Sequence, residues 1–256
     1  MTASKPSVFL PKEHGSWSLA LEPLLLGLLI APSTAGAALA GSVLAGFFAR
    51  RPLKASFAAA DPRRRSDARE ALVMWMALAL AGLIEAGALG GWHALRPLVP
   101  AGVLGLLFAC WDGHNDARSM AAELAGSAAF ALVPAAVVML AGKTAGTAFT
   151  LMALMLARNL PAVLTVRTCL RAAKGTPVSR SGPILLSGCA AAALALLGCF
   201  TPAPRITGVL GLLLFFRTLW LLGPWRPAWP ARRIGQFEAA LGVLYVLLLG
   251  IFWARC

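Results

Sequence analysis

Glu22, Glu85 and Glu123 stand within or beside apolar stretches of the sequence, and Arg158 interrupts another. A charge in hydrocarbon costs at least about 2.5–3.5 kcal/mol at a helix centre, so each such group requires a partner, a proton or a guest. Asp112 and Asp116 are four residues apart and, on a continuous helix, share a face with Glu123 seven residues further on. Carboxylates so spaced can hold Mg²⁺ through oxygen, while the same acids also serve as N-caps of a following helix. Arg50, Arg51 and Lys54 follow one apolar stretch, and Arg158, Arg167 and Arg171 break into or follow another. Guanidinium groups in a partly dehydrated setting suit phosphate, diphosphate or carboxylate. The string LPKEHGSW at residues 10–17 sets Lys12, Glu13 and His14 just before the first apolar run. Its Lys and Trp fit an interfacial anchor, and His14 is the candidate proton carrier, with Glu22 about two turns further on.

The elements that carry these groups are membrane helices. The chain has 256 residues, is 59% apolar and only 13% charged, against about 25% charged in soluble domains. Its mean hydropathy is +0.77. Crossing a hydrocarbon core of about 30 Å takes roughly 20 helical residues. Nine apolar runs meet this measure approximately, at residues 15–31, 33–49, 71–89, 98–111, 121–141, 147–166, 183–200, 206–222 and 237–253. The expectation is an all-α polytopic membrane bundle of about nine transmembrane helices, a single integral membrane domain over residues 1–256. The N-terminus is too polar for a cleavable signal peptide, so the first span is expected to remain. Ala37, Gly41 and Ala45 recur every four residues and predict a close helix contact. Residues 50–70 read as a polar loop. Pro161 is expected to kink the sixth helix; without a kink, Arg158 and Arg167, nine residues apart, point to opposite faces.

The formal charge is +13, yet a nucleic-acid surface needs a water-soluble basic scaffold, which this composition excludes. The basic residues instead lie in alternate loops. One side receives Lys5, Lys12, the seven from Arg50 to Arg69, Arg118, Arg167, Arg171, Lys174, Arg180, Arg226, Arg232 and Arg233. The other receives Arg96, Lys143, Arg205 and Arg255. The positive-inside rule then puts the N-terminus in the cytoplasm and the C-terminus outside, in a multi-pass protein of the bacterial inner membrane. The five cysteines are odd in number and widely spaced, and indicate neither a disulfide framework nor a zinc site.

LPKEHGSW with the LEPLLLGLL run after it, FFARRPLK after the second run and RNLPAVLTVR in the sixth resemble the YwiC-like family of bacterial membrane proteins. That resemblance implies membrane location and architecture. More distantly, the span count and the polar segments after the second and sixth runs are similar to the UbiA-type intramembrane prenyltransferases. Those bundles hold Mg²⁺ and an isoprenyl diphosphate on two Asp-rich motifs in these segments. Here the segments read ARRPLK and ARNLPAVLTVR, and Asp112 to Asp116 falls after the fourth run instead. A prenyltransferase-like reaction thus lacks its metal-binding motifs in the expected loops. The expectation that results is a UbiA-like bundle whose cytoplasm-facing cavity binds an isoprenoid or lipid phosphate. Lys12, Arg50, Lys54, Arg158, Arg167 and Arg171 would meet the anion, Asp112, Asp116 and Glu123 would pair with them or hold Mg²⁺, and His14 and Glu22 would be the catalytic candidates. A small-anion or metabolite transporter, with Glu85 and His93 on the outer side, and a non-catalytic assembly factor are the alternatives.

Overall fold

The computed structural model describes residues 16–58, 61–114, 116 and 118–255, so Lys12 and His14 lie outside the described residues. Among the described residues there are nine α-helices and no strand. They are α1 (Ser16–Ile30), α2 (Thr34–Ala58), α3 (Pro62–Gly90), α4 (Leu98–Gly113), α5 (Met120–Leu140), α6 (Ala145–Ala173), α7 (Ser181–Phe200), α8 (Ile206–Leu222) and α9 (Ala231–Trp253). A single 3-10 turn, Trp92–Leu95, links α3 to α4. Helices α3, α5, α6, α7 and α9 are long and apolar enough to cross a membrane, while Trp17–Ile30, α4 and α8 are shorter apolar helices.

Residues 50–70 are largely helical rather than looped. Helix α2 continues through Arg50 and Pro52 to Ala58, because Arg, Lys and Ala are good helix formers wherever water or headgroups can take the charge. Asp61 and Pro62 then start α3: the Asp61 side chain accepts from the Arg63 amide at 3.1 Å, and proline occupies the first helical position. At about 1.5 Å per residue α3 is about 43 Å long, more than the hydrocarbon needs, so its basic first turns extend past the apolar layer. Helix α6 likewise runs unbroken through Pro161.

Two apolar cores meet at α1 and α5. Leu26, Ala135, Leu154, Leu194, Leu210 and Leu249 belong to one, and Leu24, Leu39, Ala86, Val133 and Val137 to the other. Helix α5 is central, with 61% of its apolar window buried against 11% for α3, which therefore presents most of its surface to lipid. Gly27 lets α1 close on α5, since a Cβ there would come within 2.9 Å of Val137 Cβ. The close α2–α3 contact is built one residue out of register with the expected stripe. Gly82 packs on the Ala38 carbonyl and Ser42, and Ser42 Oγ donates to the Ala79 carbonyl at 2.6 Å. Of the expected stripe, Gly41 faces open space and Ala37 is exposed, while Ala45 is buried.

Candidate functional site

Four charged side chains from four helices meet inside the bundle. Glu22 of α1 is 3% exposed, Arg158 of α6 3%, Arg217 of α8 6% and Glu238 of α9 8%. Arg158 bridges the two acids: its Nε lies 3.7 Å from Glu22 Oε2 and its Nη1 3.5 Å from Glu238 Oε2. Arg217 Nη2 approaches the same Glu238 oxygen at 3.1 Å. Arg158 Nη2 also donates to the Glu238 backbone carbonyl at 3.0 Å, and Tyr245 OH donates to the Leu154 carbonyl at 3.1 Å, so two bonds seam α6 to α9. The charges balance as two carboxylates against two guanidinium groups, the condition under which buried ions are tolerated.

Sequence explains this convergence locally. Gly242 lies one turn beyond Glu238 on α9, and a Cβ built there would collide with the Glu22 carboxylate. Only the missing side chain lets Glu22 lie against α9 and reach Arg158. Hydroxyls extend the polar region toward α7: Arg217 Nη1 donates to Thr218 Oγ1 at 3.4 Å, and Thr218 Oγ1 sits 3.0 Å from Ser187 Oγ and 3.3 Å from Thr165 Oγ1.

Hydrogen bonding within the cluster is incomplete. Glu22 Oε2, both Glu238 carboxylate oxygens and the Nε atoms of Arg158 and Arg217 have no hydrogen-bond partner, even where an ion-pair distance is short. Asn159, 1% exposed beside Arg158 in sequence, has neither amide atom partnered. Buried polar groups are nearly always satisfied, and their concentration here distinguishes this interior from an inert core. The cluster combines acceptors and donors, and it can receive a proton on a carboxylate or an anion on a guanidinium.

The other candidate residues fall elsewhere. Arg50 Nε donates to Asp112 Oδ2 at 2.7 Å and Lys54 Nζ to Asp112 Oδ1 at 3.1 Å, tying the end of α2 to the end of α4, with the Arg50 guanidinium 4.7 Å over the Phe108 ring. Arg167 Nη1 donates to Glu123 Oε2 at 2.8 Å and to the Arg118 carbonyl at 2.5 Å. Arg158 and Arg167 thus serve different partners from one continuous helix, in keeping with nine residues of separation. Arg171 stands in the last turn of α6, and Asp116, Glu85 and His93 are exposed. Asp112 and Glu123 are engaged by basic side chains, and among the described residues no group of three His, Cys, Asp or Glu could hold a metal. The structure therefore joins Glu22 to Arg158 and distributes Arg50, Lys54, Asp112, Glu123 and Arg167 over two separate pairings. Arg217 and Glu238 went unnoticed in the sequence, although Arg217 lies in the apolar run LLLFFRTLWLL, the very signal that singled out Arg158.

Contacts also collect one set of helix ends together. Trp17 at the start of α1 packs on Phe48 in the second half of α2 at 5.3 Å, and Phe48 on Trp75 of α3 at 4.9 Å. Asp112, Glu123 and Arg167 add the end of α4, the start of α5 and the end of α6, and Arg226 Nη2 donates to the Ala172 carbonyl at 3.5 Å. This end carries most of the basic residues. Glu22 lies about 9 Å along α1 from it, Glu238 about 10 Å along α9 and Arg217 about 8 Å along α8, by helical rise.

A helical bundle with several membrane-length apolar helices and a neutralised charge cluster in its interior is a multi-pass membrane protein. Within that class, the pattern of the YwiC-like protein family matches residues 10–139, and the chain belongs to the YwiC-like family. The matched residues include Glu22, Arg50, Lys54, Asp112 and Glu123, while Arg158, Arg217 and Glu238 lie beyond them. No curated protein and no solved structure matches the chain.

Proposed function

We propose that this chain is a UbiA-like helical bundle of the bacterial inner membrane that binds an isoprenoid or lipid phosphate in its cytoplasmic half, with Arg158 and Arg217 receiving the headgroup. The single observation that supports this reading is the pair of arginines buried in apolar α6 and α8, both directed at Glu238 and each with an Nε–H unpartnered. Guanidinium fixes a tetrahedral oxyanion through paired N–H donors, and in an apolar interior that interaction is strong. By the positive-inside rule the basic end faces the cytoplasm, where Arg50, Lys54, Arg167 and Arg171 attract an anionic headgroup toward the interior. The hydrocarbon of such a ligand needs no site of its own, since lipid already surrounds the bundle. With Asp112 and Glu123 committed to basic partners, the reading is of binding rather than of metal-assisted transfer.

The test uses the full chain in lipid nanodiscs, titrated with farnesyl phosphate. Wild type should bind saturably, and Arg158→Gln and Arg217→Gln should each weaken binding by on the order of tenfold or more. Arg217→Lys, which keeps the charge, separates loss of the anion contact from loss of the fold. Equal affinity for farnesyl phosphate in wild type and in well-folded Arg217→Gln protein would remove the proposal.

A further inference from the structure

We infer that the buried site takes up its anion together with a proton, so that binding is electroneutral, with Glu22 as the proton acceptor. This rests on the phosphate-binding reading above and adds a second bound species to it. The four-residue cluster is already neutral, because Arg158 and Arg217 are held by Glu22 and Glu238. An anion placed on either guanidinium leaves one negative charge in excess in an apolar interior, where an uncompensated ion neutralises itself by changing its protonation state. A carboxylate that yields its guanidinium to the ligand is the group positioned to take that proton.

Geometry selects Glu22. Its ion pair with Arg158 is the longest of the cluster at 3.7 Å, whereas Glu238 Oε2 is shared by two guanidinium groups, Arg217 at 3.1 Å and Arg158 at 3.5 Å. The charged groups acting on Glu22 are Arg158 from α6, Glu238 from α9 and Arg217 from α8, with the Tyr245 hydroxyl of α9 nearby. Gly242 keeps the carboxylate against α9 without a side chain of its own in the way. In the exchange, the Glu22–Arg158 ion pair opens, an aqueous proton bonds to a Glu22 oxygen, and the Arg158 guanidinium pairs with an oxygen of the ligand. For a monoanion the site begins and ends with no net charge.

The probe is farnesyl methyl phosphate, a diester whose single charge is fixed between roughly pH 5 and 9, added to the full chain in nanodiscs in weakly buffered solution with a pH-sensitive dye. Expected, at a pH above the Glu22 midpoint of the free site, is uptake of about one proton per ester bound and an affinity that strengthens about tenfold for each unit fall in pH. In Glu22→Gln, uptake should vanish and affinity become independent of pH. The proton count on wild type stands even if that variant does not fold. Ester binding without proton uptake overturns the coupling while leaving the phosphate site intact, and uptake that persists in folded Glu22→Gln overturns the assignment of the acceptor. Binding of farnesyl phosphate but not of the ester also overturns the coupling, since a site that keeps itself neutral needs only one charge. If neither compound binds at any pH, the phosphate-binding reading itself falls.

Discussion

Replacing Gly242 by alanine tests the arrangement of the buried cluster through a change of sign. Helix propensity alone favours alanine over glycine by about 0.5–1 kcal/mol. At position 242, however, the new methyl group would occupy the space of the Glu22 carboxylate. That carboxylate can move aside only by leaving Arg158, and separating a buried acid from its guanidinium costs up to about 3–5 kcal/mol when a charge is stranded. Arg158 keeps Glu238 at 3.5 Å, so the lower end of that range applies, and subtracting the propensity gain leaves a net loss of about 2 kcal/mol. Reversible unfolding in mixed micelles, followed by far-ultraviolet circular dichroism, measures it. Gly41→Ala, whose added Cβ meets open space, supplies the propensity baseline. In a Glu22→Ala background nothing obstructs the methyl group, and Gly242→Ala should be neutral or stabilising by up to about 1 kcal/mol. A stabilising effect in wild type, or the same cost in both backgrounds, would refute the proposed contact between α1 and α9.

Arg158→Gln should destabilise by about 3–5 kcal/mol because it strands the buried Glu22 carboxylate and leaves Glu238 to Arg217 alone; Arg167→Gln, whose pairing with Glu123 is partly exposed, should cost under about 1 kcal/mol in the same unfolding assay. Asp112→Asn removes the charge shared by Arg50 and Lys54 and one of its two acceptor oxygens and should cost about 1–3 kcal/mol, appearing in hydrogen exchange as faster opening of the α2 end before any global change. Tyr245→Phe deletes one bond to the Leu154 carbonyl and should lower stability by about 0.6 kcal/mol, the average for such bonds in membrane bundles; a loss several times larger would mean that the hydroxyl also supports the charge cluster.

Helices were readable in the sequence wherever composition alone decides them. The nine apolar runs correspond in order to the nine α-helices among the described residues, five of them long and apolar enough to cross a membrane, since backbone groups in hydrocarbon must be satisfied within the segment. Charge between Arg50 and Arg69 suggests a loop, although outside the apolar layer charge and helix are compatible; Asp61 before Pro62 is the readable start of α3. Registry was harder. The stripe through Ala37 and Gly41 and the neighbouring one through Ala38 and Ser42 differ by one residue, and only the α3 partner, Gly82, chooses between them. Glu22 and Arg158 were found by the cost of burying charge. The same criterion applied to Arg217 would have identified it, whereas Glu238, so near the start of α9, reads as interfacial until its helix is packed.

Assembly of the cluster also couples the two parts of the chain. The family-matched residues, 10–139, supply only Glu22 to it, and α6, α8 and α9 supply Arg158, Arg217 and Glu238. Taken alone, that later part carries one unbalanced positive charge in its interior, and α1 carries an unbalanced negative one. Each is costly in hydrocarbon by itself, and the cost is removed only when α1 docks beside α9 with Gly242 admitting the carboxylate. Docking of α1 is therefore driven by charge as well as by the apolar contacts of Leu26 and Leu249. The same dependence makes the interior responsive. Under the proposed binding, an anion that replaced Glu22 at Arg158 would loosen the ionic link between α1 and the later helices, while the contact of Gly27 with α5 would continue to hold α1 in the bundle.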